Sequence, residues 1–366
     1  MNPVLIEDSQ SLDEICNQLC KEPILAIDTE FFRETTYFPH LGLVQIASPD
    51  CIVCIDPLAF DARQGLARLL LDPAITKIFH SCIQDMEVLY QYLGELPSPV
   101  IDTQIAAAML GQDEQIGYAK LVEEQMDVQL EKSQTRTNWL KRPLTKKQIE
   151  YAGDDVLYLI PIYHKLVTEL KNKHREAWLI EDSTWVCSDK TRFFPDMKNC
   201  WQRIKGVYKL DGIQLCLAQA ISQWREQHAI KKDVTRRRAI PDDLVIQIAI
   251  AQPGNVDTLK KTGAISRWLD DEDLASLASV INQGLKTPPG EWPSINKQKP
   301  TPEEKDRLNN ILDLLNKKSG ELGIAQSVLC SRKEVEKLIN GERDIQVLKG
   351  WRLDCIGREL LNHMTD

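Results

Sequence analysis

No stretch of this sequence stays apolar for anything near the ~18 residues that a bilayer-spanning helix needs. The opening residues, MNPVLIEDSQ, lack the basic segment and following apolar run of a secretory signal. A cytoplasmic protein with no membrane attachment is therefore expected. Low-complexity tracts are missing too. So is any second cysteine pair that could complete a zinc site with Cys51 and Cys54. Those two sit three apart in a strand-like run, CIVCID, and would face opposite sides. The ten cysteines are scattered and read as reduced thiols rather than a disulfide framework.

Positive charge is also short. The chain has 45 Lys+Arg against 54 Asp+Glu, a net −9, which argues against indiscriminate binding to nucleic acid. The deficit is uneven, however. Residues 1–185 carry 16 Lys+Arg against 29 Asp+Glu, net −13, and residues 186–366 carry 29 against 25, net +4. An acidic half suits cations and a basic half suits a polyanion. At 366 residues the chain exceeds the ~250–300 at which a single core stops growing, so at least two domains are expected.

Residues 24–31, 41–48 and 51–56 have the composition of strands. DARQGLARLLLD reads as a helix and ITKIFHS (75–81) as a further strand. IQDMEVLYQYLG follows as an amphipathic helix that Gly94 ends, and 100–111 is another helix candidate. Thr145 and Gln148 form a capping box that opens a long helix through about 170, with a kink at Pro161. After a loosely patterned connector, 208–285 reads as several helices. Residues 287–302 hold five prolines and read as a linker, and 303–364 is helical again.

The anomaly lies in ILAIDTEFF (24–32). Alternation along a strand puts Asp28 and Glu30 on one face and Leu25, Ile27, Thr29 and Phe31 on the other. Two like charges inside an apolar strand are costly unless something positive lies between them. Asp85, near the start of its helix, and Asp155, four residues after Tyr151, are the acids placed to join them. Asp85 alone could be an ordinary N-terminal helix acid. Helical phase separates Asp155 from Asp154. Tyr151, Asp155, Leu159, Ile162 and Leu166 make an inward stripe, and Lys147, Glu150, Asp154 and Lys165 a solvated one. Four carboxylates with no Cys or His at ligand spacing suit a hard cation, Mg²⁺ or Mn²⁺.

In order, DTEFFRETTYFPHLGLVQIA, HSCIQDMEVL, VIDTQIAA, KSQTRTNWLKRPL and YAGDDVLYLIPIY resemble the successive signatures of the ribonuclease D family. That family belongs to the DEDD superfamily of 3′→5′ exonucleases, in the subgroup with a tyrosine in the third motif. Residues 208–285 and 303–364 resemble its HRDC (helicase and RNase D C-terminal) domains more loosely. One departure is Asp154, where the third motif usually has a small residue.

The resemblance implies an α/β RNase H-like exonuclease domain, a mixed β-sheet flanked by helices, over residues 1–185. A connector (186–207), a first all-α HRDC-type domain (208–286), the Pro-rich linker (287–302) and a second such domain (303–366) would follow. It implies a monomeric exoribonuclease that trims the 3′ ends of RNA, such as tRNA precursors, and releases nucleoside 5′-monophosphates. Two divalent ions would be held by Asp28, Glu30, Asp85 and Asp155, with Tyr151 as a further catalytic residue. A phenol's ordinary pKa of ~10 makes Tyr151 a poor base at neutral pH, so it is expected to orient the attacking water.

Candidate substrate contacts are Gln45, His80, Arg136, Lys141, Arg142 and the basic run Arg236, Arg237 and Arg238. His80 either hydrogen-bonds a ligand carboxylate or is a capped core histidine. Trp224 and Trp351 read as core residues. The alternatives are a 3′→5′ DNA exonuclease on the same site, or a silent RNA-binding scaffold. A scaffold has no need to keep four acids and the tyrosine together.

Overall fold

The structure is a computed structural model, and it describes all residues except 132–133, 135–136, 264, 268, 296–300 and 366. The chain forms two compact units. One takes residues 1–32, 41–190 and 300–366; the other takes 33–40 and 191–299.

The first unit is built on six strands: β1 (Val4–Ile6), β2 (Ile24–Phe32), β3 (His40–Ala47), β4 (Ile52–Ile55), β5 (Thr76–Phe79) and β6 (Val100–Asp102). Their order across the sheet is β1-β4-β3-β2-β5-β6. The β1/β4, β2/β5 and β5/β6 pairs are parallel and β3/β4 is antiparallel, so the sheet is mixed. Its helices are α1 (Ser9–Leu19), α2 (Arg63–Leu70), α3 (Ile83–Leu93), α4 (Thr103–Met109), α5 (Tyr118–Met126), α6 (Lys146–Leu157), α7 (Leu159–Asn172) and α8 (Glu176–Ser188). The Thr145/Gln148 capping box opens α6, and Gly94 ends α3 at φ 79°.

Two sequence expectations are corrected here. Residues 100–111 are not one helix: Val100–Asp102 pair with β5, Lys77 opposite Val100 and Phe79 opposite Asp102, before α4 begins. A three-residue strand is too short to show a period of two. The long helix after Thr145 is two helices, which break at Tyr158 (φ −100°, ψ −4°), three residues before Pro161. Proline cannot donate to the carbonyl four residues back, here that of Leu157, and its ring crowds that turn.

The second unit holds α9 (Gly212–Lys232), α10 (Arg236–Ala239), α11 (Asp242–Ala251), α12 (Val256–Lys260) and α13 (Asp271–Gly284). They close on a core that includes Leu217, Ile221, Trp224, Ile248, Leu277 and Ile281. Residues 33–40, which leave β2, fold with this unit. The Tyr37 hydroxyl donates to Glu226 (2.5 Å), and His40 Nε2 lies 2.6 Å from Asp233.

The chain then returns to the first unit as α14 (Pro302–Leu322), α15 (Gln326–Leu329), α16 (Arg332–Ile339), α17 (Gly350–Arg352) and α18 (Arg358–Thr365). Ile311, Leu315, Leu338 and Trp351 share one core with Ala26, Ile78, Ile162 and Leu166. Trp351 stacks on Trp178 of α8 (centroids 4.2 Å apart, planes at 9°), and Arg352 forks onto Asp182 at 2.6 and 2.8 Å. No helix among the described residues is long and apolar enough to cross a membrane.

Candidate active site

The site forms where β2 meets α3 and α6. Asp28, Glu30 and Asp155 each offer a carboxylate oxygen, and these three oxygens lie within 4.8 Å of one another. Asp154 points into solvent, as the helical phase of α6 predicts. Asp85 is 6% exposed and lies outside that tight triad. It meets the strand through Thr29, whose hydroxyl donates to its carboxylate at 2.5 Å. The charge of Asp85 nonetheless reaches both strand acids.

The electrostatics state the cost of this crowd. Burial, followed by the charges of Asp85, Asp155 and Glu30, pushes the Asp28 carboxyl well above the usual carboxylate range. Burial, then Asp155 and Asp85, raises Glu30 to about 9. Burial raises Asp85 to about 7 against the opposing hydrogen bond from Thr29. It also raises Asp155 to about 7, although the Tyr151 hydroxyl donates to that carboxylate and opposes the shift. Each shift favours a positive charge at this cluster, whether a proton or a cation. All the donors are hard oxygens, so the residues fit Mg²⁺ or Mn²⁺.

Several neighbours carry no signal in the sequence. Thr29 is one. Tyr118 is another. Its hydroxyl donates to the Asp154 carbonyl (3.1 Å) and accepts from the Tyr158 amide (3.2 Å), which ties the α6/α7 break beside Asp155. Nothing local marks a tyrosine that opens a short helix as part of a site.

The expected substrate contacts have varied fates. Gln45 lies on β3, the neighbour of β2 in the sheet, but it is fully buried. Among the described residues, neither of its side-chain polar atoms has a hydrogen-bond partner. His80 bonds no ligand carboxylate: Nε2 donates to the Ile116 carbonyl (2.9 Å) and Nδ1 lies 2.9 Å from Thr103 Oγ1. Burial lowers its pKa, which suits a capped core histidine. Arg142 is spent internally. It forks onto buried Asp56 at 2.5 and 2.7 Å and donates to the carbonyls of Trp139, Lys141 and Gly42. That leaves it no free donor for a phosphate. Arg136 lies outside the described residues. Lys141 is exposed.

In the second unit, Arg236 pairs with buried Glu226 and donates to the Tyr37 hydroxyl at 2.9 Å, which makes it a tie. Arg237 and Arg238 are exposed and form no ion pair among the described residues. Arg237 joins Arg203 and Lys205 around an open cavity of about 710 Å³. Those last two cations carry no sequence signal, because they lie apart from any basic run.

A mixed sheet with clustered acids at the exit of its central strand defines a metal-dependent nuclease class. Residues 3–171 match the 3′–5′ exonuclease family, and residues 214–281 match the HRDC domain. Ribonuclease D of Bartonella henselae is 34% identical over 360 residues, covering 97% of this chain and 88% of that protein. Ribonuclease D of Pseudomonas paraeruginosa is 33% identical over 98% of this chain and 96% of that protein. The crystal structure of Escherichia coli RNase D, described as an exoribonuclease involved in structured RNA processing, superposes with a TM-score of 0.88 at 30% identity. That match covers 100% of this chain and 99% of the other. The chain belongs to the ribonuclease D family of 3′→5′ exoribonucleases.

Proposed function

We propose that this protein removes nucleotides from the 3′ ends of structured RNAs such as tRNA precursors, releasing nucleoside 5′-monophosphates. Two divalent ions, Mg²⁺ or Mn²⁺, would be held by Asp28, Glu30, Asp85 and Asp155. The observation that carries the reading is the convergence of Asp28, Glu30 and Asp155, with Tyr151 hydrogen-bonded to the last of them. Divalent cations at these carboxylates supply Lewis-acid charge beside the scissile phosphate. The protein's own groups do the rest. Thr29 fixes the Asp85 carboxylate and Tyr151 fixes that of Asp155. The Tyr151 oxygen keeps a lone pair that can accept from the attacking water. Of the cations singled out in the sequence, Lys141, Arg237 and Arg238 are exposed and would hold the RNA backbone.

In this reading residues 1–185 are the catalytic domain and 186–207 a connector. Residues 208–286 and 303–366 are two HRDC-type domains on either side of the 287–302 linker. The protein works in the cytoplasm as a monomer.

The test is a time course on a 3′-extended tRNA precursor and on single-stranded DNA, in Mg²⁺, Mn²⁺ or EDTA. Stepwise loss from the RNA 3′ end with either metal, and none in EDTA, is the expected result. Preference for the DNA would make the protein a DNA exonuclease. RNA binding without hydrolysis under every condition would make it a scaffold.

A further inference from the structure

Asp102 lies outside the triad of Asp28, Glu30 and Asp155, though its charge reaches Asp85; it is 2% exposed and accepts three backbone hydrogen bonds. Its Oδ1 takes the amides of Ser81 (2.9 Å) and Gln104 (2.8 Å), and its Oδ2 takes the amide of Cys82 (2.9 Å). The Gln104 contact caps α4, as a helix N-cap should. The other two are unusual, because they belong to a different element. Ser81 and Cys82 form the turn between β5 and α3. Ser81 sits at φ 60°, in the left-handed region that a non-glycine residue occupies only at a cost. Cys82 is the N-cap residue of α3 and supplies no side-chain cap of its own. Asp85 stands at the third position of that helix.

We propose that Asp102 is a positioning residue for Asp85: one buried carboxylate clamps the strained Ser81–Cys82 turn and thereby sets where the first turn of α3 delivers its acid. The inference rests on the reading of Asp85 as a metal ligand. Thr29 holds the Asp85 side chain, and Asp102 holds the backbone from which that side chain projects. Without the clamp, Ser81 has no compensation for its left-handed backbone and the turn relaxes. Outer partners of metal ligands typically govern affinity by ~10–100-fold.

The decisive variant is Asp102→Asn in the full chain. Asparagine keeps the size and one acceptor oxygen but turns an N–H₂ group toward a backbone N–H. Mn²⁺ binding by calorimetry is expected to weaken ~10–100-fold, with circular dichroism unchanged. Ser183→Ala is the structural control. It removes the hydroxyl that accepts the Asp102 amide (3.2 Å) and leaves the carboxylate in place. Its Mn²⁺ affinity should stay within about twofold of the unaltered protein. Should Asp102→Asn fail to fold, hydrogen exchange of the 79–84 segment in the unaltered protein decides. Slow exchange at the Ser81 and Cys82 amides is expected, and free exchange overturns the clamp. An Asn variant that binds Mn²⁺ normally overturns the proposal and leaves the metal site standing. An equal loss in Ser183→Ala also overturns it, by showing general loosening. If the unaltered protein binds no Mn²⁺, the metal-site reading itself fails.

Discussion

At the scale of residues, the site is a store of electrostatic cost that a proton or a metal ion relieves. Glu30 near 9, with Asp85 and Asp155 near 7, hold protons in the folded chain that an unfolded chain releases near pH 4. Between about pH 4 and 9 the folded state therefore binds more protons, and stability conferred by this site must fall as pH rises. The melting temperature in EDTA should drop from pH 5.5 to 8.5. The gain on adding Mn²⁺ should be larger at the higher pH, where fewer protons compete. Scanning calorimetry at the two pH values checks both; a metal-free protein that gains stability with pH would refute the account. Substitution follows the same logic. Asp28→Ala should cut turnover at least ~10²-fold, as removing a preorganised electrostatic group does. It should also raise the melting temperature in EDTA at pH 8. Asp155→Asn should abolish turnover and weaken Mn²⁺ binding, whereas Asp154→Asn, on the solvated side of α6, should change neither much. Equal effects at 154 and 155 would mean that the helix presents both acids.

At the scale of elements, what is legible in the sequence divides along physical lines. Charge inside an apolar strand is a local anomaly, and alternation plus helical phase suffice to put Asp28, Glu30 and Asp155 on converging faces. The turn chemistry at Gly94 and Thr145 is equally local. The three-residue β6 is not legible, because a strand that short is defined by its partner β5 and by nothing in itself. Assigning Arg142 to the substrate fails for a related reason. A sequence shows a basic residue but not the buried Asp56 that claims it, and Asp56 is 1% exposed, where an unpaired carboxylate is costly. Arg142→Ala should therefore act on stability. Breaking a buried pair by removing one partner costs ~3–5 kcal/mol, and Arg142→Ala should lose a sizeable part of that. Urea unfolding tests it, since a surface phosphate contact would leave the midpoint unmoved.

At the scale of the whole molecule, the order of the chain and the order of packing differ. Residues 302–365 come last in sequence, yet they complete the core of the catalytic unit through Ile311, Leu315, Leu338 and Trp351. Helical periodicity marks an apolar face without saying which partner covers it, so this pairing is hidden in the sequence. Trp351→Ala removes the stacked partner of Trp178 and the indole N–H that donates to Asp182, and should cost ~3–5 kcal/mol. The charge follows the packing. The second unit carries 18 Lys+Arg against 13 Asp+Glu, net +5, which leaves the first unit at −14 of the chain's −9. A unit of net −14 repels a polyanion, so in the proposed reading backbone contacts are expected chiefly from the other unit. Within it, Arg236 is committed to Glu226, whereas Arg203, Lys205, Arg237 and Arg238 are exposed and form no ion pair among the described residues. Replacing Arg237 and Arg238 together by alanine in the full chain should raise KM for a 3′-extended tRNA. The slope of log KM against log salt should flatten by roughly 0.7–0.9 for each phosphate that the protein ceases to neutralise. Arg236→Ala should behave differently, because it strips the counter-ion from buried Glu226, so its main effect should appear in thermal stability. The measurement is KM against salt for the three proteins on one precursor. Identical slopes for the unaltered and Arg237/Arg238 proteins would show that these arginines do not touch RNA, and that the helices of the second unit serve packing or protein partners.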